Sequence, residues 1–127
     1  MDLVLVSDNK TLTHEIEPLL REAVGSEPVV VTGASLISGT PLPPADVVLV
    51  ERQTWQQYLS LFRYFGVCKY FDRAVLVSVT RGRCSGALKG RSNRKDLSLI
   101  LPSPIDAARR ILDDARELSE QRSSESY

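Results

Sequence analysis

Short runs of consecutive apolar residues alternate along the chain with longer stretches in which apolar residues recur every three or four positions. Leu3 to Val6 is the first run and reads as a strand buried on both faces. Asp8, Asn9, Thr11 and Thr13 then offer helix caps, and Leu12, Ile16, Leu19, Leu20 and Ala23 follow at helical spacing. Pro18 is expected in or just after the first turn, where its missing N–H costs least, and Gly25 is the expected stop. Pro28 to Thr32 is predicted as the second strand. The stretch GASLISGTPLPP, residues 33–44, holds two Gly and three Pro, so a loop or one irregular turn is predicted there.

Val47 to Val50 is the third predicted strand. Thr54 is expected to cap a helix carrying Trp55, Tyr58, Leu59, Phe62 and Phe65, with these aromatics in the core. Ala74 to Val79 and Leu97 to Leu101 are the fourth and fifth strands. A last helix opens near Pro104 and carries Ile105, Ala108, Ile111, Leu112, Ala115 and Leu118; a polar C-terminal tail, 121–127, follows. Strands alternating with helices imply right-handed crossovers and a parallel sheet. The predicted fold is an α/β, three-layer α/β/α sandwich: a flavodoxin-like five-stranded parallel sheet, order 2-1-3-4-5. The second and fourth helices are expected to be short or missing. One domain, residues 1–120, accounts for the pattern. Ligands of such a sheet bind outside the carboxyl ends of strands 1 and 3, which points to Ser7, Asp8, Glu51 and Arg52.

Composition narrows the function classes. Sixteen basic residues balance sixteen acidic ones, so overall charge gives no reason to expect nucleic acid or an anionic membrane as partner. No apolar run approaches the roughly 20 residues that span a bilayer. The two cysteines, Cys68 and Cys84, form no CxxC or Cys/His cluster, so a reducing cytoplasm is expected, with no metal and no cofactor. His14, beside Glu15 and Glu17, reads as an exposed helix residue, and no nucleophile accompanies it as a hydrolytic triad would require. Neither GALKGRS nor TGASLISG has the spacing of a phosphate-binding or dinucleotide-binding loop.

With these elements in order, the chain resembles a response-regulator receiver (CheY-like) domain over about residues 1–120. In such domains the first strand leads into two metal-holding acids, and the third ends in a phospho-accepting aspartate. Here LVLVSDN puts Ser7 and Asp8 in the first places, and Asp46-Val47-Val48-Leu49-Val50-Glu51 puts Glu51 at the acceptor. AVLVSVT puts Ser78 at the Ser/Thr that ends the fourth strand, and LPSPI puts Ser103 at the lysine of a Lys-Pro pair. Ile100 stands at the inward-turning aromatic, and Val79 where a small residue would leave the site open. The resemblance therefore implies a degenerate phosphoacceptor site: Ser7, Asp8, Glu51, Ser78 and Ser103. Its acceptor is one methylene too long, one metal-holding acid is lost, and so is the lysine that neutralises the transferring oxygens. The implied protein is a pseudo-receiver that signals through protein contact and is not an enzyme. The alternatives are a phosphorylatable, Mg²⁺-dependent response regulator and a small-molecule or nucleotide binder at the strand 1/strand 3 crevice.

Glu51 has three readings: a built-in mimic of the phosphorylated acid, an ion-pair partner of Arg52 or Arg81, or a solvated strand end. Residues 80–96 add a basic loop with Arg81, Arg83, Lys89, Arg91, Arg94 and Lys95 against a single acid, Asp96. That loop reads as solvated chain, as a docking site for an acidic protein surface, or as a grip on nucleic acid or a phosphorylated small molecule. Aromatics interleaved for single-strand binding are absent from it. Acids concentrate in the first and last helices, so complementary docking or head-to-tail self-association is a further expectation.

Overall fold

β1 (Leu3–Val6), β2 (Val29–Val31), β3 (Val47–Glu51), β4 (Val75–Arg81) and β5 (Leu97–Leu101) form one all-parallel sheet of order β2-β1-β3-β4-β5. The structure is a computed structural model that describes residues 2–39, 44–82 and 97–125. Helices α1 (Lys10–Val24), α2 (Gly33–Ile37), α3 (Arg52–Tyr64), α4 (Cys68–Arg73) and α5 (Ile105–Glu125) complete the three layers. This is the sandwich and strand order expected from the sequence.

Side chains of a strand alternate between faces, which divides the core into two halves. Leu3, Leu5, Val47, Leu49, Val77 and Val79 pack with Leu12, Ile16 and Leu20 of α1 and with Ala108, Leu112 and Ala115 of α5. Val4, Val6, Val48, Val50 and Leu76 pack with Leu36 of α2, Trp55, Leu59 and Phe62 of α3, and Phe71 of α4. The ring centroid of Trp55 lies 5.2 Å from that of Phe71 and 6.0 Å from that of Phe62, both pairs edge to face. Burying each such aromatic stabilises the fold by about 1.5–3 kcal/mol.

Some local expectations hold and others change. Asn9 is the residue that caps α1, its side chain accepting from the Leu12 N–H at 3.1 Å. Gly25 closes α1 at φ +81°, a conformation that favours glycine. Pro18, expected in or just after the opening turn, sits well inside α1 on its exposed side. The apolar stripe of Leu12, Ile16 and Leu20 in the core outweighs the one lost helical hydrogen bond. Residues 33–37, expected as a loop or one irregular turn with the second helix short or missing, form the short helix α2, because Thr32 supplies a cap to the Ser35 N–H at 3.1 Å. α4 was not foreseen; its short length carries one fully buried anchor, Phe71. α5 continues to Glu125, into the stretch expected as tail. Its polar residues suit a solvated helix, and Arg116 and Glu120 pair one turn apart at 3.3 Å.

α3 starts at Arg52 instead of being capped by Thr54, which is buried. Its end is a complete Schellman turn. The Val67 N–H reaches the Phe62 carbonyl at 2.8 Å, the Gly66 N–H reaches that of Arg63 at 3.3 Å, and Gly66 adopts φ +73°. Phe62 and Val67 both join the core, whereas Phe65, expected there, is exposed. Five members of the basic loop, Arg83, Lys89, Arg91, Arg94 and Lys95, lie outside the described residues, as does the interval in which a fourth helix was expected to be short or missing.

Candidate functional site: the carboxyl edge of the sheet

Register brings the ends of β1 and β3 side by side, Val6 opposite Val50. Ser7 continues the parity of Leu3 and Leu5, and Glu51 that of Val47 and Leu49, so both turn toward the α1/α5 layer. There the Ser7 hydroxyl donates to Glu51 Oε2 at 2.8 Å and accepts from the Asn9 N–H at 3.1 Å. Glu51 is only 4% exposed, so it is not a solvated strand end. A buried carboxyl is costly unless hydrogen-bonded, and Ser7 meets that need. Among the described residues no buried side-chain nitrogen or oxygen lacks a partner.

Asp8 turns to different elements. Its Oδ1 accepts from the Gly33 N–H at the start of α2 at 2.8 Å, and its own N–H donates to Thr54 Oγ1 on α3 at 3.1 Å. The Tyr58 phenol faces the Asp8 carboxylate, whose hydrogen-bonding pull raises the phenol pKa above its usual 10.0, with desolvation and the Asp8 charge adding in the same direction. Gly33 has to lack a side chain here, since a Cβ would stand 2.5 Å from Tyr58 Cδ2. Asp8 thus ties β1 to α2 and α3. The long-range trio of Asp8, Gly33 and Tyr58 has no local signature in the sequence.

The other expected members of the site do not join Glu51. Ser78 shares the parity of Leu76, lies opposite Val50 and faces the α3/α4 layer. Its hydroxyl is 2.9 Å from that of Ser98, its register partner on β5. Ser103 lies two residues beyond the end of β5 and donates to the Pro104 carbonyl at 3.2 Å. The residue that ends β5 is Leu101, buried in the α1/α5 core. Ile100 is exposed, so it does not turn inward. Arg81 makes an ion pair with Glu15 of α1. Arg52 and Arg81 nonetheless border the same cavity of about 160 Å³ as Glu51, together with Asn9, Leu12, Gln53, Val79 and Thr80. Thr80 escaped sequence reasoning because β4 was expected to end at Val79.

These groups do not fit the Mg²⁺ that a receiver-type edge implies. Among the described residues no three Asp, Glu, His or Cys side chains gather closely enough to hold a metal. Asp8 is engaged by Gly33 and Tyr58, and Glu51 by Ser7. Mg²⁺ demands near-octahedral oxygen ligands at about 2.0–2.1 Å, which two carboxyls committed to different protein donors do not offer. The cavity is also smaller than the roughly 300–1,000 Å³ of ordinary small-molecule sites. No described helix is long and apolar enough to cross a membrane. His14 is exposed on α1, as expected.

No family model and no curated protein sequence matches the chain. Among solved structures it is similar to a response regulator receiver modulated diguanylate cyclase from Pelobacter carbinolicus. The match has a TM-score of 0.60 at 12% identity, with 97% of each chain covered. At that identity the likeness is one of fold, and the fold is that of a receiver domain.

Proposed function

We propose that this chain is a receiver-fold signalling domain that works by protein–protein contact, without a phosphoryl switch. The observation that carries this reading is the hydrogen bond from Ser7 to the buried Glu51 carboxyl. Acyl-phosphate formation needs an acceptor oxygen that reaches a phosphodonor, a bridging cation and a nearby ammonium. Here the acceptor is held by a serine that stands in an acid's place, and the other acid is held by Gly33 and Tyr58. By the receiver resemblance Ser103 takes the place of the ammonium, and its hydroxyl donates to the Pro104 carbonyl. The Ser7–Glu51 bond joins the end of β1 to the end of β3, and Asp8 ties β1 to α2 and α3.

The test is intact mass after incubation with a small acyl-phosphate donor and Mg²⁺. An unchanged mass is expected; an added phosphoryl group on Glu51 or Asp8 overturns the proposal. The phosphorylatable alternative makes the opposite forecast in the same experiment. A nucleotide or metabolite binder is disfavoured by the size of the cavity, and thermal shift against a nucleotide and phosphate panel checks it.

A further inference from the structure

We infer that the C-terminal end of α3 is a docking surface for an acidic amphipathic helix of a partner protein. Leu61, Tyr64 and Phe65 are 41%, 81% and 54% exposed, three of the six large apolar residues left exposed among the described residues. They stand at i, i+3 and i+4 and form a second stripe beside the buried one of Trp55, Leu59 and Phe62. Scattered exposed apolar residues are ordinary, but a contiguous group marks an interaction site. The fold does not require this group. The Schellman turn that ends α3 is closed by Phe62, Arg63, Gly66 and Val67, and the rings of Tyr64 and Phe65 meet edge to face with centroids 5.0 Å apart.

Charge selects the occupant. From Arg52 to Phe71 there is no acidic residue, whereas Arg63 and Lys69, flanking the aromatic pair, are both exposed. The rest of the solvent face of α3 is neutral: Gln53, Gln56, Gln57 and Ser60. Aromatic anchors flanked by two cations suit a partner with an apolar stripe bordered by Asp and Glu, and a helix laid along α3 matches that i, i+3, i+4 spacing. The exposed face of α5 in a second copy is less suitable. It offers Asp106, Asp113, Asp114 and Glu117 but only polar or charged neighbours, so the aromatic pair would stay uncovered.

This inference rests on the reading of the chain as a contact domain, and the two fail separately. A phosphoryl adduct sinks that reading and says nothing of this patch. The experiment for the patch is selection of a displayed library of randomised helical peptides on the full chain. Amide shifts in the ¹⁵N–¹H spectrum then map the binding of the most enriched peptide. Enriched peptides are expected to combine apolar residues at helical spacing with Asp and Glu, and to move residues 57–69. Binding should weaken roughly tenfold or more in Tyr64→Ser/Phe65→Ser, as for loss of an aromatic anchor. It should also weaken in Arg63→Glu and with added salt. Enrichment of basic or extended peptides, no enrichment, shifts centred elsewhere, or equal affinity for the folded double variant overturns the inference. So do shifts at Tyr64 and Phe65 that follow the concentration of the protein alone, since the occupant is then a second copy.

Discussion

Glu51 and Phe65 bracket α3, and each inverts the usual preference of its side chain. The carboxyl at the N-terminal end is buried, at 4% exposure, and the phenyl ring at the C-terminal end is more than half exposed. At the first end every element supplies a polar partner: Ser7 to Glu51, Gly33 and Tyr58 to Asp8, Thr54 to the Asp8 N–H. At the second, a Schellman turn closes the backbone while apolar surface is left over. At the carboxyl edge of the sheet, Glu51 is buried and accepts from Ser7, while the exposed Asp8 accepts from Gly33. The surplus surface lies at the opposite end of the helix, and there contact with another protein has most to gain.

The contrast is sharpest between neighbours. Phe62→Ala is expected to cost about 3–5 kcal/mol in denaturant unfolding, the range for a fully buried aromatic. A small cost would mean that the described core is loosely packed. At the closed end, Ser7→Ala removes the donor to Glu51 and the acceptor of the Asn9 N–H together. About 1–3 kcal/mol is the expected loss, and a neutral result would break the claim that Ser7 holds the glutamate.

Gly33→Ala probes the Asp8 side of the same edge. Its Cβ has to displace the Tyr58 ring, and overpacking of this kind typically costs about 1–3 kcal/mol. Titration of Tyr58 gives a second view. Its folded pKa is raised above the unfolded value of 10.0, so its stabilising bond to Asp8 is fully present below pH 10 and is lost as pH rises through the folded pKa. Tyr58→Phe should remove that alkaline component. An unchanged profile would show that the phenol does not engage Asp8.

Much of the fold could be read from apolar runs and helical spacing alone, because five Val- and Leu-rich runs admit few parallel arrangements. Strand ends were accurate where the pattern was decisive, as at Leu97–Leu101, and uncertain where polar residues continue the strand, as at Thr80 and Arg81. The site was partly readable. Parity with Leu5 and Leu49 puts Ser7 and Glu51 on one face, and the same parity separates Ser78 from them. Asp8, Gly33 and Tyr58 come together only through packing of β1, α2 and α3, so no local pattern announces them. The exposure of Phe65 was hidden for a related reason: aromatic spacing resembles a core stripe until Gly66 fixes where the helix stops.

Two smaller effects finish the comparison. Glu51→Gln keeps an acceptor for Ser7, so the fold should stay intact with a change under about 1 kcal/mol. If partner binding is also unchanged, the carboxyl does not act as a mimic of a phosphorylated acid. Phe65→Ser should alter stability by no more than about 0.5 kcal/mol, which makes the exposed end separable from folding.

The most direct measurement is the ¹⁵N–¹H spectrum of the full chain before and after a small acyl-phosphate donor and Mg²⁺. The expected result is that the amides of Ser7, Asp8, Glu51, Thr80 and Arg81 keep their positions, because Glu51 and Asp8 are engaged by the protein's own donors. Concerted shifts of those amides, reversed when the donor is exhausted, would contradict it and restore a working phosphoryl switch.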